Sequence, residues 1–231
     1  MYLNMNLLRY ERTYDPMSHP LHLQQKIGQG LTPLQFMENM KIREMKLSRI
    51  PNTKELFRQV YDRFQWENKE TERFFTSERN PFNHLHCLIL CTDWCPDVIW
   101  NVPVLFKILE YSRIPSDVLI MEDHMETMDL FLTDGGRAQP IAVFLHASHA
   151  STGEVLGTWG ARPAYIQNVM DEFKRNHPDK QAASYQEQLD QTYMKIGELY
   201  HEGNEYQRVM IQEIRQLLAS FIPDRITDNN L

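Results

Sequence analysis

No apolar run in this sequence approaches the roughly 20 residues that cross a bilayer. The opening stretch Met1 to Arg9 carries Asn4 and Asn6 and has neither a basic start nor a cleavage-like end. A membrane span and a signal peptide are therefore not expected, and a cytoplasmic location is the default. Positive charge is in deficit: 24 Lys and Arg stand against 31 Asp and Glu, a net charge of −7. Nucleic acid and anionic lipid surfaces demand a positive face, so neither is an expected partner. Cysteine is scarce, and Cys87, Cys91 and Cys95 are clustered rather than spread as in a secreted disulfide framework. A Gly-rich phosphate loop, a Gly-x-Ser-x-Gly elbow and a His-Glu-x-x-His helix are all missing, and no cofactor is expected.

What is present reads as an α/β core of about 100 residues with helical additions. Residues 1–29 have mixed polarity, broken by Pro16 and Pro20, and suggest a loosely organised lead-in. Thr32-Pro33-Leu34-Gln35 starts a helix, with a hydroxyl cap, proline at the first helical position and Gln to reach back. Its apolar stripe through Phe36, Met37, Met40 and Met45 predicts that it runs to Pro51. Asn52 or Thr53 caps a second helix through Leu56, Phe57, Val60, Tyr61 and Phe64, completing a hairpin. A charged stretch, Glu67 to Arg79, precedes a short buried strand over Leu85 to Leu90. A helix from Pro96 to Tyr111 follows, with a kink expected at Pro103, and then a second strand over Val118 to Met121. Strand, helix, strand makes a parallel, right-handed crossover. A short helix within His124 to Leu132, a strand pair over Ile141 to Leu145 and Val155 to Trp159, and a helix from Pro163 to about Arg175 complete the core. Residues 184–221 are helical with a break near Gly203. This divides the chain into a lead-in with a hairpin (1–82), a core (83–176) and carboxy-terminal helices (177–231).

Chemistry concentrates at Cys95, which follows the first strand and immediately precedes a helix. Unpaired amide N–H groups at a helix start favour thiolate over thiol, so Cys95 is the candidate nucleophile and a depressed pKa is expected if it is reactive. Asp93 and Asp97 act in the opposite direction, because nearby carboxylates disfavour a second negative charge. Trp94 is placed to shield one side of the sulfur. Cys91, four residues earlier, is a candidate resolving thiol, since a curved connection can bring two α-carbons within the roughly 7 Å a disulfide needs; strand-end packing is the competing reading. Cys87 reads as core. His84 and His86 share one side of a strand, and His146 and His149 fall in a loop, but no second cluster completes four ligands and no metal is expected.

Trp94-Cys95 followed by Gln139-Pro140-Ile141, 45 residues separating Cys95 from Pro140, resembles the thioredoxin family. Thr92-Asp93-Trp94-Cys95-Pro96-Asp97, Asn101-Val102-Pro103, Gly135-Gly136 and Trp159-Gly160-Ala161-Arg162-Pro163 are together similar to an uncharacterised bacterial branch of it. The resemblance implies a three-layer α/β/α fold with a mixed four-stranded sheet and extra helices at both ends. It further implies a cis Pro140 facing Cys95, and main-chain groups of Gln139 offered to an extended substrate. Val98 stands where thioredoxins carry their second cysteine, and Ile89 where they place a buried acid. The implied activity is a monothiol, mixed-disulfide reaction at Cys95, with protein or low-molecular-weight thiols and disulfides as partners; a redox-inactive binding module is the alternative. A one-cysteine peroxidase would need a cation brought near by folding, from Arg137 or Arg162.

Overall fold

The computed structural model describes residues 21–147 and 152–222. Most of the expected lead-in, and His149, lie outside the described residues. The part of the lead-in that is described is more ordered than expected. Leu23 N–H donates to the Gly153 carbonyl at 2.7 Å and the Leu21 carbonyl accepts from Val155 N–H at 2.8 Å; just past the lead-in, Leu31 and Val118 exchange two backbone hydrogen bonds of 2.9 and 2.8 Å. The segment therefore uses its backbone groups along the sheet instead of leaving them to water.

Helix α1 (Pro33–Asn39) has the expected capping box, with Thr32 and Gln35 bonding each other's backbone. It ends at Asn39, well short of Pro51. From there the chain is extended, and its polar groups bind elsewhere: Lys41 N–H donates to Asp93, Arg43 N–H to Thr53 Oγ1, and Met45 pairs with Ile50. Helix α2 (Thr53–Asp62) starts with Asn52 accepting from Glu55 N–H at 3.0 Å. Helix α3 (Lys69–Phe75) was hidden in the charged stretch; Asn68 caps it, and Phe75 is the residue it buries deepest.

Strand β1 (Leu85–Cys91) is buried along its whole length and leads through a short loop to α4 (Pro96–Ser112), which continues through Pro103. Next come β2 (Ser116–Ile120), the one-turn α5 (Met125–Met128) followed by a 3-10 turn over Asp129–Phe131, β3 (Ile141–His146), β4 (Val155–Gly160) and α6 (Ala164–Asn176). Helices α7 (Tyr185–His201) and α8 (Glu205–Ala219) flank the expected break at Gly203.

The sheet order is β2-β1-β3-β4, with β1 and β2 parallel and the other two pairs antiparallel. Period-two alternation sorts β1 between two cores. Cys87, Ile89 and Cys91 face a thick layer to which α2, α4, α6, α7 and α8 contribute, whereas Leu88 and Leu90 face a thin one built on Met128, Phe131 and Leu23. Leu88, Ile89 and Leu90 are fully buried, each contributing about 1.5–3 kcal/mol of apolar burial. This is the expected α/β arrangement with a mixed four-stranded sheet, and the added helices thicken the face that carries the thiol. No helix among the described residues is long and apolar enough to cross a membrane.

Candidate functional site

Cys95 is the residue on which α4 begins. Its carbonyl accepts from Val98 N–H at 3.0 Å and Ile99 N–H at 3.2 Å, and Pro96 follows at the first helical position. The half-buried sulfur lies 3.7 Å from the carbonyl oxygen of Gln139. The Gln139–Pro140 peptide is cis and leads directly into β3, so the residues that the resemblance pairs are adjacent in space. The opposite strand permits this approach. Gly160 pairs with Ile141 at φ +142°, and a β-carbon there would sit 2.0 Å from the Pro140 carbonyl oxygen. Only glycine fits such a place, because any side chain would push the Pro140 segment away. Trp94 borders the sulfur but stays 46% exposed, its indole N–H donating to Glu122 at 2.7 Å.

Behind the sulfur is a buried polar network that the sequence did not announce. Asp97 is 4% exposed and 3.9 Å from Cys95 Sγ through Oδ2. Arg162 grips it with two bonds, Nε to Oδ1 at 2.8 Å and Nη2 to Oδ2 at 2.7 Å. The Tyr200 hydroxyl, from α7, donates to Asp97 Oδ1 at 2.9 Å and accepts from Asn101 Nδ2 at 2.7 Å. Arg162 also donates to Gln167 at 3.0 Å. These charges satisfy one another in place of lost water, which a buried ion must have if its desolvation is to be offset.

The same network overturns the depressed pKa expected of a reactive Cys95. Burial, and then the Asp97 carboxylate, push the thiol up to about 12; Arg162 and the amide groups of Val98 and Asp97 pull the other way and lose. The helix-start effect is present, but it is smaller than desolvation plus a buried like charge. At neutral pH the resting sulfur is therefore a thiol.

Asp93 differs from what proximity in sequence suggested. It accepts from Lys41 N–H at 2.8 Å and pairs with Arg43 at 2.9 Å, so it fastens the segment after α1 to the Cys95 loop. Burial works to raise its pKa, but the bonds from Arg43 and Lys41 outweigh that and hold it below the usual carboxylate range. Cys91 is fully buried on the α4 side of β1, free of any disulfide; burial, then the nearby Cys95, raises its pKa well above the ordinary thiol value. Cys87 is buried core. His86 bonds Asp117 at 2.8 Å, and His84 lies against His146 with the rings tilted and their centres 5.3 Å apart. Of the two cations considered for the sulfur, Arg162 reaches it through Asp97, while Arg137 is bonded to Asp129 at 2.6 and 2.9 Å.

Over the sulfur opens a cleft of about 560 Å³, within the usual size of a small-molecule site. Met45 to Ser48 form one wall, Tyr193, Ile196 and Gly197 of α7 a second, and the Thr133 to Gln139 segment a third. The first two walls touch: a β-carbon on Gly197 would lie 3.2 Å from Ser48 Cα, and His201 bonds the Ser48 carbonyl at 3.2 Å. Gln139 Oε1 and Thr133 Oγ1 are buried without a hydrogen-bond partner, a condition that costs about 1–3 kcal/mol each. Arg162 was named from the sequence only as a cation that folding would have to bring near, and Tyr200, Tyr193 and Lys46 were not separable from ordinary packing or surface residues by sequence. Their only signals were the helical stripe through Tyr193 and Tyr200 and the Trp159 to Pro163 run.

Among solved structures, the chain is similar to an HIV epitope-scaffold at 14% identity and a TM-score of 0.50, covering 87% of this chain and 99% of that one. A second, a protein of unknown function from Pseudomonas aeruginosa, has 13% identity and a TM-score of 0.49, over 83% and 93%. No curated protein matches the sequence. The family model described as thioredoxin matches residues 39–174, more than half of the chain and well into the amino-terminal helices. With the mixed sheet, the cysteine at the start of α4 and the cis proline that faces it already in place, that match makes the chain a member of this thioredoxin family.

Proposed function

We propose that this chain is a thiol-disulfide redox protein acting through Cys95 by a mixed-disulfide, monothiol mechanism. The observation that carries the reading is the Cys95 sulfur at the floor of an open cleft, 3.7 Å from the carbonyl that precedes the cis proline. A disulfide R–S–S–R enters the open cleft, and the Cys95 thiol gives up its proton to water there. The sulfur attacks one sulfur of that disulfide, a Cys95 Sγ–S–R disulfide bond forms as the S–S bond of R–S–S–R breaks, and the departing R–S thiolate takes up a proton to leave as R–SH. Cys91 serves as the resolving thiol in place of the cysteine that Val98 replaces. Its attack on Cys95 forms the Cys91–Cys95 bond and releases the second R–SH, so one external disulfide is reduced to two thiols while two protein thiols are oxidised. Without Cys91, an external thiol releases Cys95 instead.

The test is exposure of the reduced protein to bis(2-hydroxyethyl) disulfide at pH 8, followed by peptide-mapped mass measurement. The expected product is a hydroxyethylthio adduct on Cys95 or a Cys91–Cys95 bond, absent in Cys95→Ser. An unmodified Cys95 after a reference peptide thiol has reacted fully overturns the reading.

One observation favours a second reading, a redox-inactive binding module. Burial and Asp97 hold the Cys95 thiol near 12, which suits a sulfur that packs rather than reacts. In that case Cys95→Ser leaves binding of a partner protein intact.

A further inference from the structure

The lining of the Cys95 cleft does not match the charge of the molecule around it. The chain is acidic, with a net charge of −7, yet the cleft is lined by four cationic side chains, Lys46, Arg137, Arg162 and Lys174, and one carboxylate, Asp97. Arg162 already neutralises that carboxylate. Arg137 and Lys174 lean on Asp129 and Asp134, which lie outside the lining, in pairs whose side chains are 42–44% exposed. The single-bonded Lys174–Asp134 pair is of the weak exposed kind, so Lys174 is free to turn towards a better anion, whereas Arg137 is held by two bonds to Asp129. Lys46 is exposed and has no ion-pair partner among the described residues. The contacts between Ser48 and α7 close one side, so the space suits a small molecule better than an extended polypeptide, which needs an unobstructed edge.

Building on the redox reading above, we infer that the substrate is a low-molecular-weight anionic disulfide, whose acid groups are held by Lys46 and Lys174 while its sulfur meets Cys95. The exchange step is the one already given, with the small disulfide as oxidant and its thiol as product.

Three small disulfides of similar size and different charge separate the possibilities: 3,3′-dithiodipropionate (anionic), bis(2-hydroxyethyl) disulfide (neutral) and cystamine (cationic). Rates of Cys95 adduct formation are each divided by the rate with a reference peptide thiol. The expected result is a preference for the anion over the cation of about tenfold, which shrinks at least about threefold in Lys46→Gln/Lys174→Gln and shrinks again at high salt. The acidic surface alone gives the opposite order, so a preference for cystamine or equal rates overturns the inference. So does an anion preference that the double variant leaves intact. If the neutral disulfide labels Cys95 and charge makes no difference, this inference fails alone; if no disulfide labels Cys95, the redox reading fails with it.

Discussion

The two sides of Cys95 carry the same side chain in different surroundings. On the strand side, Asp93 faces the amino-terminal extension, is partly exposed, and is held by Arg43 and the Lys41 amide. On the helix side, Asp97 is buried, gripped by Arg162 and Tyr200 from the other end of the core and from α7. The first carboxylate fastens a flank; the second, together with burial, sets the protonation of the sulfur. Distance along the chain is the same, so the difference teaches that a carboxylate acts on its neighbour through the partners and the solvent it has. Each flank bonds one of these two residues beside Cys95, which makes the added segments part of the candidate site and not only a cover for it.

The largest effect belongs to the helix side. Arg162→Met leaves Asp97 buried and unpaired, and should cost about 3–5 kcal/mol in urea denaturation, with Cys95 pushed further from ionisation. Asp97→Asn removes the like charge and frees Arg162 beside the sulfur. It should raise the rate of Cys95 alkylation at pH 8 by about tenfold or more, the stability loss being read separately. Tyr200→Phe withdraws one donor from the Asp97 network and should cost about 1 kcal/mol. Arg43→Met is the smallest: about 0.2–1 kcal/mol, with the Cys95 profile unmoved. If Arg43→Met shifts that profile as far as Asp97→Asn does, the contrast between the two carboxylates is wrong.

Asp93 also has a signature in pH. Its folded pKa is held below the ordinary value of 3.8 despite its partial burial, by Arg43 and Lys41. The stability it contributes is therefore complete above about pH 4 and lost as pH falls through the lower, folded value. Arg43→Met should flatten that part of the acid denaturation curve, and wild-type and variant curves should converge at the lowest pH.

Much of this architecture was legible because the signals are local. Thr32-Pro33 and Asn52 mark helix starts, the apolar run Leu85 to Leu90 marks a central strand, and Trp94-Cys95 with Gln139-Pro140 marks the family. The misses have physical reasons. The stripe from Phe36 to Met45 continued to read as helix, but Lys41 and Arg43 spend their amide groups on Asp93 and Thr53, and the helix stops at Asn39. Charges on both sides of Phe74 and Phe75 masked α3. The Cys95 environment was legible only in part, because helix-start amides and neighbouring carboxylates are visible in sequence, whereas the burial and the Arg162 and Tyr200 contacts come from residues 67 and 105 positions away. No local pattern reports such contacts.

The most direct measurement is the pH dependence of Cys95 alkylation by iodoacetamide, mapped to its peptide, in the native protein and in Asp97→Asn. The account predicts a native rate that is still climbing at pH 10 without a plateau, and a midpoint displaced downward in the variant. A native plateau at or below pH 8, or identical profiles for the two proteins, would contradict it.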